Sequence, residues 1–246
     1  MEKRQTYEVN VGGIKIGGSN PVVVQSMCCA PAEDFDKNLK QINELTVAGC
    51  EIVRVSVPSD NALKAFAELC KKSPLPLVAD IHFRPDLAIK SIEAGASKIR
   101  INPGNFGAIE NSDEVMETAK KHNVPIRIGI NAGSLDEELK SRFDLSLPEK
   151  LVASASQFVE YFNNHDFGDI VVSIKAHDVN TCVEANRLFA KQMPKVPLHL
   201  GITEAGTKDQ GIIKSASGLG ILLSDGIGET IRISLTDNPV EEVKAA

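Results

Sequence analysis

The chain has 246 residues, of which 42% are hydrophobic and 24% charged, and it carries a formal net charge of −6. That length accommodates one α/β barrel or two smaller domains, with enough chain to bury a large core. The acidic balance excludes a global basic field for nucleic acid, and no apolar run approaches the ~20 residues that cross a bilayer.

The first residues, MEKRQTYEVN, lack the apolar stretch of a signal peptide, so a cytoplasmic location (or the plastid stroma, in a plastid-bearing organism) is the expectation. YEVNVGGIKIGG alternates and turns at Gly12-Gly13, which predicts a short β-hairpin over residues 1–20. Eight apolar strand-like runs follow: Val22–Ser26, Ile52–Val57, Leu77–Ile81, Ile99–Ile101, Ile126–Ile130, Ile170–Ile174, Leu198–Ile202 and Ile231–Leu235. Their unbroken Val/Ile/Leu character suits parallel strands covered on both faces.

Helical periodicity fills the intervals. In FDKNLKQINELTVAG, Leu39, Ile42, Leu45 and Ala48 share a face and Gly49 stops the helix. NALKAFAELCKK has Ser59 or Asp60 as its cap, and PDLAIKSIEAG follows it. SDEVMETAKKH has Ser112 as its expected cap, and PEKLVASASQFVEYF, VNTCVEANRLFAKQ and IIKSASGLGILLSDG complete seven helices. The chain ends in NPVEEVKAA, read as the truncated start of an eighth. Eight β/α units predict an α/β fold, a (β/α)8 TIM barrel over residues 21–246 behind the hairpin cap. A doubly wound sheet is disfavoured because QSMCCAPAED, after the first strand, has no glycine fingerprint.

Five of the strands carry a cation near their end: Arg54, Arg100, Arg127, Lys175 and Arg232. A cation among β-branched residues is costly to bury unless an anion meets it. By period-two alternation Arg54 shares its face with Ser56, Arg100 with Asn102, and Arg127 with Gly129 and Asn131. Lys175 likewise goes with Ser173 and His177, and Arg232 with Ser234, while Asp80 and His82 form a further pair. Active sites of such barrels lie at the C-terminal ends of the strands, so the cations predict a pocket for a highly charged anion with more than one phosphate. The competing reading is a structural network in which Asp80, Glu204 and Asp178 neutralise them. The loops NPGN (102–105), NAGS (131–134) and EAGT (204–207) can turn backbone N–H groups toward an anion. Glu204 is the candidate catalytic carboxylate, as a proton relay, or else a salt-bridge partner. Cys28, Cys29, Cys50, Cys70 and Cys182 include no Cys-x-x-Cys and are odd in number, so neither a disulfide framework nor a metal site is expected in this chain.

VVVQSM, EIVRVSVP, PLVADIHF, IRINPGN, PIRIGINAGSL, VVSIKAHD, PLHLGITEAG, GLGILLSDGIGETIRISL and NPVEEVK together resemble the barrel of the 4-hydroxy-3-methylbut-2-enyl diphosphate synthase family. The resemblance implies reductive opening of 2-C-methyl-D-erythritol 2,4-cyclodiphosphate in the non-mevalonate route to isoprenoids. It implies two electrons from a 4Fe-4S cluster, fed by a flavodoxin or ferredoxin, in a homodimer. Arg54, Arg100, Arg127, Lys175, Arg232 and Ser234 then become diphosphate contacts, with Asn102, Asn131, Thr203 and Glu204 near the substrate. The family's cluster domain, with three Cys and a Glu, lies beyond the barrel and is absent from this chain, which is expected to show no turnover alone. At the first loop the family reads QSMTNT where this chain has QSMCCA, with Cys28 and Cys29. Two alternatives stay open: a Schiff-base aldolase-like barrel with Lys175 as nucleophile, and a non-catalytic diphosphate-binding scaffold. A dihydropteroate synthase-like barrel is a more distant relative of the architecture.

Overall fold

The computed structural model describes residues 3–246; Met1 and Glu2, part of the hairpin segment read above, lie outside the described residues. Strands β1 (Glu8–Val11) and β2 (Ile14–Gly17) pair antiparallel in the register Val11↔Ile14. Gly12 and Gly13 take positive φ of 57° and 96°, as the tight turn demands. One hairpin face buries Val9, Val11 and Ile16 against Val23, Ile52, Val78 and Val171, and so plugs the N-terminal end of the main sheet.

The alternating units that follow are β3 (Val23–Met27) with α1 (Phe35–Val47), β4 (Ile52–Ser56) with α2 (Asp60–Lys72), and β5 (Leu77–Ile81) with α3 (Pro85–Glu93). Next come β6 (Lys98–Ile101) with the single turn α4 (Pro103–Phe106) and α5 (Asp113–His122). β7 (Ile126–Asn131) leads to the short α6 (Glu137–Ser141) and the long α7 (Leu147–Asn164). β8 (Ile170–Lys175) with α8 (Val179–Gln192), β9 (His199–Leu200) with α9 (Lys208–Ser224), and β10 (Thr230–Ile231) with α10 (Pro239–Ala245) finish the chain. The eight parallel strands run in the order β8-β7-β6-β5-β4-β3-β10-β9. A parallel bridge from Val172 to Leu198 joins the two edges, which closes the barrel. This is the (β/α)8 architecture that the sequence predicts.

Differences from the sequence reading are local. β9 and β10 are two-residue ladders, so Gly201–Ile202 and Arg232–Leu235 continue as irregular chain at the mouth. Ser59 caps α2 by accepting from the Ala62 N–H at 3.1 Å, and Asp60 is the first helical residue. Ser112 does not cap α5 with its side chain. It closes a 3-10 turn (Ile109–Ser112), and its hydroxyl donates back to the Ile109 carbonyl, the local bond that serine readily makes in place of a cap. The sequence reading also lacked α4 and α6, which fill the loops above β6 and β7.

Candidate anion-binding site at the barrel mouth

Register sets the site. Asp80, Arg100 and Arg127 are direct neighbours on β5, β6 and β7, and Met27 pairs with Arg54 across β3 and β4. Period-two alternation turns these side chains inward, where they meet Lys175 from β8 and Arg232 just past β10. A cavity of about 230 Å³ opens there, lined by all five cations together with Asp80, His82, Asn131, Ser173, Thr203, Ser234, Met27 and Ile202. Two of the candidates read from sequence lie elsewhere. Asn102 is buried, and its amide oxygen accepts from the Ser134 hydroxyl at 3.1 Å, bracing the β6 loop against the β7 loop. Glu204 is exposed on the loop above β9 with a positive φ of 50°, outside the residues that line the cavity.

Glycines make the space. A Cβ at Gly129 would lie 2.5 Å from Arg100 Nε, and one at Gly201 would lie 2.6 Å from Lys175 Nζ. A Cβ at Gly104 would fall on the Ser134 carbonyl oxygen, so the NPGN turn needs glycine for the close approach of two loops.

The cations divide into held and unheld. Asp80 accepts from Arg100 Nη1 at 3.0 Å and stands 3.5 Å from both Arg54 Nε and His82 Nε2. Arg100 Nη2 also donates to the Gly129 carbonyl at 3.2 Å, and the Asn131 amide, turned so that its oxygen meets a donor, accepts from the same nitrogen at 3.2 Å. Arg232 is gripped by Glu242 of α10, which the sequence reading did not single out. No local pattern marks Glu242, because its role arises only when α10 folds back over the strand ten residues earlier. Asp178 does not join the network; it caps α8 by accepting from the Thr181 N–H at 2.7 Å. Arg127 Nε and Nη1 are buried without a partner, and Lys175 makes neither a hydrogen bond nor an ion pair among the described residues.

A second cation layer lies below. Lys98 shares the inward face of β6 two residues before Arg100, is fully buried, and among the described residues finds only the Gln25 amide oxygen at 3.4 Å. Alternation alone could have picked it out, since KIRI places Lys98 in phase with Arg100. His199 of β9 is buried too, within the field of Lys175, Arg127 and Lys98, and both its ring nitrogens are unpartnered among the described residues.

Electrostatics follow from this crowding. Burial, and then the neighbouring Arg127 and Arg232, hold the Lys175 amine well below the ordinary lysine value. Arg127 is depressed by burial first, with Arg54 and Arg100 adding to it, and Arg54 falls to about 10 chiefly through burial. Asp80 goes the other way: burial raises it, but Arg54 and Arg100 outweigh that and keep it ionised. Five cations against the two carboxylates that touch them among the described residues, Asp80 and Glu242, leave a positive surplus around a hollow. An anion with several oxygens is its chemical complement.

The same residues do not fit an iron–sulfur cluster. Among the described residues no three His, Cys, Asp or Glu side chains gather as a metal site, and Cys28, Cys50, Cys70 and Cys182 lie in or against the core. Cys29 is exposed at the first loop, where its sulfur meets Gln41 Nε2 at 3.0 Å. No helix is long and apolar enough to cross a membrane among the described residues.

A family model described as the GcpE TIM-barrel domain matches residues 6–246. Over 244 residues the chain is 53% identical to the 4-hydroxy-3-methylbut-2-en-1-yl diphosphate synthase (flavodoxin) of Natranaerobius thermophilus, covering 99% of this chain and 68% of that protein. It is 49% identical to the enzyme of the same name from Aquifex aeolicus, covering 100% of this chain and 69% of that one. In three dimensions it resembles the dihydropteroate synthase of Yersinia pestis, with a TM-score of 0.69 at 13% identity over 97% of this chain and 96% of that one. At that identity the likeness shows the barrel fold alone.

Proposed function

The chain belongs to the family of the GcpE TIM-barrel domain, and from that membership we propose that its cationic mouth binds the cyclic diphosphate in the reaction of 4-hydroxy-3-methylbut-2-en-1-yl diphosphate synthases. These are iron–sulfur oxidoreductases of isoprenoid biosynthesis, and this chain covers their barrel domain. The observation that carries the reading is the pair of unheld cations, Arg127 and Lys175, beside the Asp80-held Arg54 and Arg100 and the Glu242-held Arg232 around one cavity.

The geometry suits the charge changes of the proposed reaction. In 2-C-methyl-D-erythritol 2,4-cyclodiphosphate each phosphorus bears one ionised oxygen. Two electrons and a proton enter, a carbon–oxygen bond to the ring phosphate breaks, a hydroxyl leaves as water, and a linear diphosphate with one more negative charge remains. A pocket with surplus positive charge favours that more anionic state over the cyclic one, which is differential binding in the direction of reaction. Arg127 and Lys175 supply the charge, Arg54, Arg100 and Arg232 supply oriented donors, and Asn131, Ser173, Thr203 and Ser234 offer neutral hydrogen bonds. Glu204 serves from the rim as a proton relay to the part of the ligand that projects outward. Flavodoxin as electron donor follows the relatives' names, and the pairing of two copies belongs to the same proposal.

Calorimetry with the cyclic diphosphate tests this. Affinity is expected to fall with added salt, and Arg127→Ala to weaken binding by about 1.5–3 kcal/mol. Absence of measurable binding to the parent chain would overturn the reading. A covalent borohydride-trapped adduct at Lys175 with a carbonyl substrate would instead return the aldolase alternative.

A further inference from the structure

Glu242 sits on α10, outside the strands that build the pocket, and is only 3% exposed. Its carboxylate makes four contacts. Oε2 accepts from Arg232 Nε at 3.0 Å and from the Ser26 hydroxyl at 2.9 Å. Oε1 accepts from Arg232 Nη2 at 2.9 Å and from the Leu235 N–H at 3.1 Å. The guanidinium edge formed by Nε and Nη2 is thereby occupied in a bidentate fork. Its remaining nitrogen, Nη1, stands 3.7 Å from Met27 Sδ, in the wall of the cavity. The same sulfur lies 2.7 Å from Arg54 Nη2. Arg232 itself is on irregular chain past the end of β10, where no ladder bond beyond its own N–H to the Leu200 carbonyl at 3.0 Å steadies it. Glu242, anchored by Ser26 of β3 and the Leu235 backbone, replaces that missing rigidity.

We propose that Glu242 is a positioning residue for the anion site, which fixes the Arg232 guanidinium so that one N–H-bearing edge faces the ligand. This rests on the reading of Arg232 as a diphosphate contact. The proposal makes an unusual demand on sign. Glu242 is a negative charge close to an anion site, so as a mere electrostatic neighbour it opposes ligand binding, and removing it should tighten the complex. As a positioning residue it should do the reverse, because a mobile arginine must be ordered each time the ligand binds.

The test is calorimetric titration of the 246-residue chain with inorganic pyrophosphate, comparing the parent with Glu242→Gln, Arg232→Met and the double variant. Glu242→Gln is expected to bind about tenfold more weakly, despite the loss of a negative charge, on the scale of one charged hydrogen bond. The double variant should be no weaker than Arg232→Met. Unchanged or tighter binding by Glu242→Gln, with Arg232→Met impaired, overturns the positioning role and leaves the anion site standing. Unchanged binding by Arg232→Met removes Arg232 from the site and the proposal with it. A purely structural glutamate would lower the melting temperature and leave the affinity of the folded chain where it was, which also counts against the proposal. Should Glu242→Gln fail to fold, Ser26→Ala reads the same clamp more gently: about threefold weaker binding is expected, and parental affinity refutes it.

Discussion

Lys175 ends β8 inside the ring of arginines with no acidic partner among the described residues, and its amine titrates well below the ordinary lysine value because burial and then Arg127 and Arg232 oppose its charge. An anion reverses that balance, so above the depressed value the ligand draws a proton onto the Lys175 amine as it enters. The sign follows: affinity is full below the depressed value and falls as pH rises through it, well before an exposed lysine near about 10.4 would titrate. Pyrophosphate affinity measured against pH should therefore decline more steeply in the parent than in Lys175→Met, which binds more weakly throughout. Curves of equal slope would show that Lys175 does not meet the anion. At this scale the sequence was most legible for the cations, since a charge in a β-branched run is visible by itself. It was least legible for acceptors: phase sets Asp80 beside His82 and only the competing network reading joins it to the cations, whereas Glu242 has no mark until its helix is in place.

The strands and their loops hold the site by what they leave out. Gly129, in the middle of β7, keeps the space that Arg100 fills on its way to Asp80. Gly129→Ala is expected to displace the guanidinium and weaken pyrophosphate binding about tenfold, near 1.4 kcal/mol, while the barrel remains folded. Parental affinity together with parental stability would show that the guanidinium yields without cost. Elements with long apolar or amphipathic periods, such as β5, β8, α2 and α8, follow the sequence reading within a residue or two. The short pieces α4, α6, β9 and β10 do not, because one or two turns or two ladder bonds are stabilised by neighbours and leave little periodic signal. Asp136 caps α6 by accepting from the Leu139 N–H at 2.8 Å, a local feature too short-ranged to mark a helix of five residues by itself.

For the molecule as a whole, the cation pocket is a standing cost to the fold. Arg127 is fully buried with two unpartnered nitrogens, and Lys98 and His199 add a polar layer beneath it. Replacing an unpaired buried charge by an apolar side chain of similar length relieves desolvation. Arg127→Met should thus raise the melting temperature of the ligand-free chain, by about 1–3 kcal/mol in stability and a few degrees in temperature, while losing pyrophosphate affinity. A lower melting temperature would place Arg127 in a structural network instead. Sequence by itself determined the barrel, through eight apolar runs alternating with helical periods, and the presence of cations on one phase of five strands, because both are properties of local spacing. Only the tertiary structure decided which cations are held and which are free, that Asn102 braces a loop, that Glu204 stands at the rim, and that α10 reaches back to Arg232. Those are matters of register and closure, and partners separated along the chain are chosen only when the barrel brings its ends together.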